Sequence, residues 1–273
     1  MTEPYEPPPG YWMPPYPGYF LPPAQPRRRR AVSIIAAVVC VAVAASLVVG
    51  GAGLGSTAIT PDTATPQLGS FAGYIAYMPV RQISAAWRVP AILDSPSGGG
   101  ASTWIGVQGT GKHEFFQVGT TEAYNGGTAF YEAFWSDPAQ GFHAQVMMAV
   151  NAGDEIEAQI AEVSGGWVAS LDDVTDGRAE AAPTSSGVFH DMTLAEWIQE
   201  DPSLPRNQHV PYPAMTPVTL SRLEVNGSPP SQSEVQPQIM VLPHGRRIEP
   251  SGLVGNRFTT KDVREPLARS ASS

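Results

Sequence analysis

One cysteine, two lysines and a charged fraction of 15% are the scarcities of this 273-residue chain. A single cysteine excludes a disulfide scaffold and any multi-cysteine zinc site. Basic residues number 16 against 25 acidic ones, for a net charge of −9, so the chain lacks the basic face of a general nucleic-acid binder. Its five histidines (His113, His143, His190, His209 and His244) are scattered without metal-ligand spacing. No G-x-S-x-G nucleophile elbow is present. Residues Gly106 to His113 fit G-x-x-x-x-G-K, but His113 stands where a hydroxyl must reach the metal ion, and a strand-like run follows where a helix N-terminus is needed. That stretch reads as a glycine-rich hairpin, and no nucleotide is expected. No metal or cofactor is expected either.

Proline and glycine are plentiful, at 28 and 27 residues, which favours short strands and turns over long helices. Three unlike pieces make up the chain. Residues 1–30 hold ten prolines, with Tyr5, Tyr11, Tyr16 and Tyr19 among them and few aliphatic residues. Such a tail buries too little apolar surface to offset its ordering entropy and reads as disordered, with polyproline character. Pro8-Pro9-Gly10-Tyr11 matches a proline-rich recognition motif, a match common by chance in so biased a segment. The tail ends in Arg27-Arg28-Arg29-Arg30.

From Ala31 to Leu54 there are 24 residues without a charge. As a helix they span about 36 Å, enough to cross a bilayer core. A cleaved signal peptide is the competing reading, but the leader and the apolar run are both long for one. The sequence therefore predicts a single-pass anchor at the cell membrane, with the arginine cluster cytoplasmic and the chain beyond it outside. Cys40 falls within this run as a small apolar filler. The part beyond the anchor carries 12 basic and 23 acidic residues, and its net charge shrinks as pH falls, which is compatible with an acidic setting. Arginines outnumber lysines fourteen to two, which points to a GC-rich genome.

Residues 55–70 read as a polar linker. Beyond it, short apolar–polar alternations recur at 113–119, 141–150, 155–163, 167–171, 218–225 and 238–242. Turn signals separate them, among them Asn125-Gly126-Gly127, Asn151-Ala152-Gly153-Asp154 and Asn226-Gly227. The prediction is an all-β domain over residues 71–262, a sandwich or barrel, with a disordered tail over 263–273.

A series of words in this domain is more specific. In order they are Phe71-Ala72-Gly73-Tyr74, Ile83-Ser84-Ala85-Ala86-Trp87-Arg88-Val89-Pro90, Trp104-Ile105-Gly106-Val107-Gln108-Gly109, Phe116-Gln117-Val118-Gly119, Ala129-Phe130-Tyr131-Glu132-Ala133-Phe134-Trp135, Val150-Asn151-Ala152-Gly153-Asp154 and Ala195-Glu196-Trp197-Ile198-Gln199-Glu200. Taken together they resemble the eqolisins, the glutamic peptidases, over about Ser70 to Lys261. The resemblance implies a concanavalin-like sandwich of two antiparallel sheets of about seven strands each. It also implies a monomeric acid endopeptidase that acts on polypeptides without metal or cofactor. By motif position Gln117 corresponds to the catalytic glutamine and Glu196 to the catalytic glutamate, with Trp104, Gln108 and Glu132 lining the cleft and Glu132 next to the dyad. A carboxylate can take a proton from water and return it to the leaving amine, while a neutral amide offers an acceptor for the water and donors for the oxyanion.

Local readings compete with these roles. Thr193-Leu194-Ala195-Glu196 is also a capping box, with Leu194, Trp197 and Ile198 as a short helical apolar face. Gln117 alone is an ordinary strand glutamine, and Trp104 an ordinary core tryptophan. Three positions depart from the family pattern: Gln108 replaces an aspartate, Thr121-Glu122 stands in place of an aspartate, and Phe134 replaces a tyrosine. The second function these departures allow is an inactive sandwich that binds peptide or glycan at the cell surface.

Overall fold

The computed structural model describes residues 65–94, 98–110, 114–125, 127–138, 141–182, 191–204, 208–209 and 211–263. The proline-rich tail, the apolar run and the extreme C-terminus lie outside them. Among the described residues no helix is long and apolar enough to cross a membrane.

In chain order the strands are β1 (Gln67–Gly69), β2 (Phe71–Tyr77), β3 (Gln82–Arg88), β4 (Ile92–Asp94), β5 (Gly99–Gly109), β6 (Phe115–Asn125) and β7 (Thr128–Asp137). There follow β8 (Phe142–Ala149), β9 (Glu155–Val163), β10 (Gly166–Asp173), β11 (Arg178–Ala181) and β12 (Met192–Glu200). The last seven are β13 (Ser203–Leu204), β14 (Gln208–His209), β15 (Ala214–Met215), β16 (Val218–Val225), β17 (Val235–Val241), β18 (Arg247–Pro250) and β19 (Phe258–Val263). A single turn of 3₁₀ helix, Pro243–Gly245, joins β17 to β18.

Two of the predicted turns are seen with their physical cause. Asn226 and Gly227 both adopt positive φ (53° and 77°), and Val225 and Ser228 exchange backbone hydrogen bonds across them. This two-residue loop is what Asn-Gly favours. The Asn226 Oδ1 also accepts from the backbone N–H groups of Arg81 and Gln82. At the β8–β9 turn, the Asp154 carboxylate accepts from the Asn151 backbone N–H at 2.6 Å. The glycine-rich stretch after Gly106 is the β5–β6 hairpin, closed by Gly109 N–H donating to the Glu114 carbonyl.

The strands join in the order β11-β10-β9-β3-β16-β19-β18-β17-β2-β12-β5-β6-β7-β8, with β1 added parallel to β17. Two small pairs, β13–β14 and β4–β15, stand apart. This corrects the expectation of two separate antiparallel sheets. A 15-stranded sheet runs through both layers, because short β18 pairs with β17 on one side and β19 on the other and so bridges their edges. The halves fold face to face over one core that mixes Ile83, Trp87, Ile156 and Leu171 from one layer with Ile105, Phe116, Val118 and Trp197 from the other. Two indole N–H groups cross between layers: Trp87 donates to the Thr120 hydroxyl at 3.1 Å and Trp197 to the Ser84 carbonyl at 3.0 Å.

The layers differ in their outer faces. Strands β9, β10 and β16 alternate buried with more exposed residues, as a sheet with one face in water does. Strands β5, β6 and β12 are buried nearly throughout. Their second face carries its own apolar cluster, of Ile75, Trp104, Phe115, Phe134 and Ile198. This doubly covered trio positions the site.

Candidate active site

Strand register brings the two residues of the expected dyad to either side of one position. Gly106 of β5 lies opposite Gln117 of β6 on one side and opposite Glu196 of β12 on the other. Residues directly opposite in a sheet project to the same face, and strands lie about 4.8 Å apart. Gln117 and Glu196 therefore rise from backbones roughly 10 Å apart, separated by a residue with no side chain. Two aromatic edges explain why that residue is glycine. A Cβ on Gly106 would lie 2.9 Å from Cζ3 of Trp104 and 3.0 Å from Cε2 of Phe115. Gly119 answers the same constraint one strand over, since a Cβ there would lie 2.4 Å from that of Trp104. The glycines of Trp104-Ile105-Gly106 and Gln117-Val118-Gly119 thus let one indole lie flat across the strands.

Both dyad side chains are buried, Gln117 completely and Glu196 to 3% exposure. Neither the Nε2 nor the Oε1 of Gln117 has a hydrogen-bond partner among the described residues. A buried amide left open in this way is costly unless a bound molecule completes it. Burial pushes the Glu196 carboxyl from an ordinary 4.5 up to about 8. It therefore holds its proton through the acid and neutral range. The row continues past Glu196 through Ile75 of β2 to Gln236 of β17. There the Tyr77 hydroxyl donates to Gln236 Oε1 at 2.8 Å, and the Gln236 Nε2 donates to the Thr65 carbonyl. The Tyr77 hydroxyl is pushed up by burial and by the nearby Glu196 charge.

The other predicted site residues fall unevenly around this pair. Trp104 and Gln108 share the face of Gly106, two residues to either side of it along β5. Trp104 is fully buried, whereas Gln108 is half-buried opposite Leu194 and Phe115. Glu132 lies on the same face but opposite Thr121, four residues along β6 from Gln117 and one strand further out. That offset is about 13 Å along the strand, so the structure does not bring Glu132 beside the dyad. Partial burial raises its carboxyl. The acid of Thr121-Glu122 turns the other way, into the core, where the Thr120 hydroxyl donates to it at 2.7 Å. Phe134 is fully buried on the dyad face, opposite Gly119.

The capping-box reading of Thr193–Glu196 is overturned, because the segment is the interior of β12 with partners on both sides. A strand sends Glu196, Ile198 and Glu200 to one face. Sequence reasoning gave Glu200 no role, although it closes the word that begins at Ala195 and period two from Glu196 marks it. Its carboxylate accepts the Trp104 indole N–H at 2.9 Å. Burial pushes Glu200 up to about 8; the Trp104 hydrogen bond opposes the shift, and Asp201 and Glu196 add to it.

Other chemistry-bearing features lie elsewhere. Asp154, Asp173 and Asp176 gather within ligand distance of one another. Arg178, however, already pairs with Asp173 at 2.7 Å and with Asp176 at 3.1 Å. A cavity of about 560 Å³ on the opposite layer is lined by Ala86, Arg88, Glu155, Thr219 and Ser221, with no buried carboxyl–amide pair.

Two solved structures share the fold. One is scytalido-glutamic peptidase with a transition state analog inhibitor, 20% identical, TM-score 0.61, the match covering 71% of this chain and 98% of that one. The other is SCP-B, a member of the eqolisin family of peptidases, in a complex with the tripeptide Ala-Ile-His. It is 21% identical, with TM-score 0.59 and the same coverage of 71% and 98%. No curated protein matches the sequence. The sequence profile of the Peptidase A4 family matches residues 70–238, from the residue before β2 into β17. With the whole of β5, β6 and β12 inside a match that spans most of the chain, this protein belongs to the Peptidase A4 family.

Proposed function

We propose that this glutamic endopeptidase hydrolyses peptide bonds of polypeptides in acid medium, using a water held between Gln117 and Glu196. One observation carries the reading: the two side chains flank Gly106 in register, both buried, with the amide of Gln117 unpartnered among the described residues. A carboxyl kept protonated by burial has one O–H to give and an oxygen free to accept. In attack, Glu196 passes its proton to the oxygen of the scissile carbonyl while its other oxygen takes a proton from the water. Gln117 Oε1 orients that water, and Nε2 donates to the carbonyl oxygen as charge develops there. The tetrahedral diol then collapses. Glu196 protonates the leaving nitrogen, the C–N bond breaks, and a hydroxyl proton returns to the carboxyl.

The setting we infer is the outer face of the cell membrane. Residues 31–54 anchor the chain there, with the N-terminus cytoplasmic and the β-domain acting outside as a monomer. The supports are the arginine cluster and the uncharged run. The direct test is cleavage of a denatured protein by the full chain across acid to neutral pH, with Glu196→Gln alongside. Activity is expected in the parent and absent in the variant. A Glu196→Gln chain that folds and cleaves at the parent rate removes Glu196 from the mechanism.

A further inference from the structure

Resting on that reading, we propose that Glu200 is a positioning residue for the dyad. By accepting the Trp104 indole N–H it fixes the ring edge that covers Gly106, and so sets the room left between Gln117 and Glu196.

The indole is held at three places. Its base meets Gly119, where no Cβ fits. Its faces and sides meet Phe71 and Phe115, each at a ring-centroid distance of 5.6 Å and nearly perpendicular to it. A hydrogen bond adds a directional restraint to these contacts, and tryptophan has a single donor to make one, Nε1–H. That donor points at Glu200, while the opposite edge, Cζ3, reaches over Gly106. A shift at the Glu200 end is therefore delivered to the dyad end by a rigid ring.

The chemistry of Glu200 fits a role beyond packing. It is 2% exposed, and among the described residues no ion pair holds it. Burying a carboxyl that no cation pairs costs free energy that an apolar residue of the same size would avoid. Packing alone would be served as well by leucine. What leucine lacks is an acceptor.

The experiment compares Glu200→Leu and Glu200→Gln in the full chain, with Trp104→Phe and Glu196→Gln beside them. Glu200→Leu is expected to fold, to lower kcat about tenfold or more and to leave KM within about threefold, since misplacing groups acts on the chemical step. Glu200→Gln keeps an acceptor and should recover most of that loss. Trp104→Phe combined with Glu200→Leu should be little worse than either alone. A second readout does not depend on activity. Among the indole N–H resonances of the six tryptophans, the signal that disappears in Trp104→Phe should be slow to exchange in the parent and in Glu200→Gln. It should exchange fast in Glu200→Leu. A Glu200→Leu chain with parent kcat, or an unchanged Trp104 signal in it, overturns the proposal. If Glu200→Leu does not fold, Glu200→Gln decides: a lost Trp104 signal there also overturns it. Parent-rate cleavage by Glu196→Gln would instead sink the dyad, and the indole signal would still report on Glu200.

Discussion

Gln117 and Glu196 face each other across a glycine, each one strand away from it, and the space above that glycine belongs to the Trp104 indole. The row of side chains is thus broken at one position, and the ring edges of Trp104 and Phe115 close over the break.

A side chain at position 106 should therefore lower turnover steeply. Gly106→Ala places a methyl group 2.9 Å from Trp104 and 3.0 Å from Phe115. Overpacking of this kind costs about 1–3 kcal/mol of stability. Displacing the dyad by about 1 Å costs roughly 100-fold in rate. Thermal unfolding and kcat measured together check this; a folded Gly106→Ala chain with parent kcat contradicts it.

Removing the amide should be nearly as severe as removing the acid. Gln117→Ala takes away the oxyanion donor, worth about 100- to 1000-fold in kcat. Gln117→Glu sets a second carboxyl across Gly106, and the two must then titrate in split steps. The double variant with Glu196→Gln should be little worse than either single one, because residues that act as a unit are not additive. Additive losses would show that the two side chains do not share a step.

The pH dependence has a definite sign. In the proposed mechanism Glu196 acts from its protonated form, which burial favours up to about 8. Turnover should hold from acid to neutral pH and fall about tenfold per unit above that value. A rate that climbs with pH towards 8 would instead identify the ionised form as the one that acts.

Stability should run in the same direction. Glu196 and Glu200 move from an ordinary 4.5 to about 8 on folding, and Glu122 in the core is also raised. The folded state thus holds protons that the unfolded chain gives up between those two values. Their contribution is fully present below about 4.5 and is lost progressively as pH rises towards about 8. Urea unfolding across that window should show falling midpoints, with a shallower fall in Glu200→Leu. A midpoint that rises with pH contradicts the assignment.

Topology is tested on cells. Protease added outside should remove the β-domain and leave the proline-rich tail protected. A soluble form beginning near residues 46–56 would show that the apolar run is a signal peptide.

Much of this architecture was legible in the sequence, and the exceptions have causes. Val218–Val225 alternates in sequence and in burial because its strand has one wet face. Asn226-Gly227 forms its turn because both residues accept positive φ. The segment around Glu196 is harder. Leu194 and Ile198 face one apolar cluster while Ala195 and Trp197 face the other. With both sides buried, the period of two disappears from the hydrophobicity and a helical reading competes. Glu132 was legible as an acid on the cleft face, but its distance from the dyad depends on a register that no local pattern contains. A role for Glu200 was visible only by counting two residues at a time from Glu196, which requires knowing that the segment is a strand.

The parallel pairing of β1 with β17 gives the domain a loading axis. A pull on the chain ahead of Thr65 meets first the hydrogen bond from Gln236 to the Thr65 carbonyl, and then Gln67–Gly69, whose rungs to Gln238, Ile239 and Met240 lie side by side. Rungs arranged in that way must fail together and not one after another. The same strand, β17, carries Gln236, which holds the Thr65 carbonyl at one end of its amide and the Tyr77 hydroxyl at the other. A pull at this end of the domain therefore reaches, through Gln236 and Ile75, the row that contains Glu196.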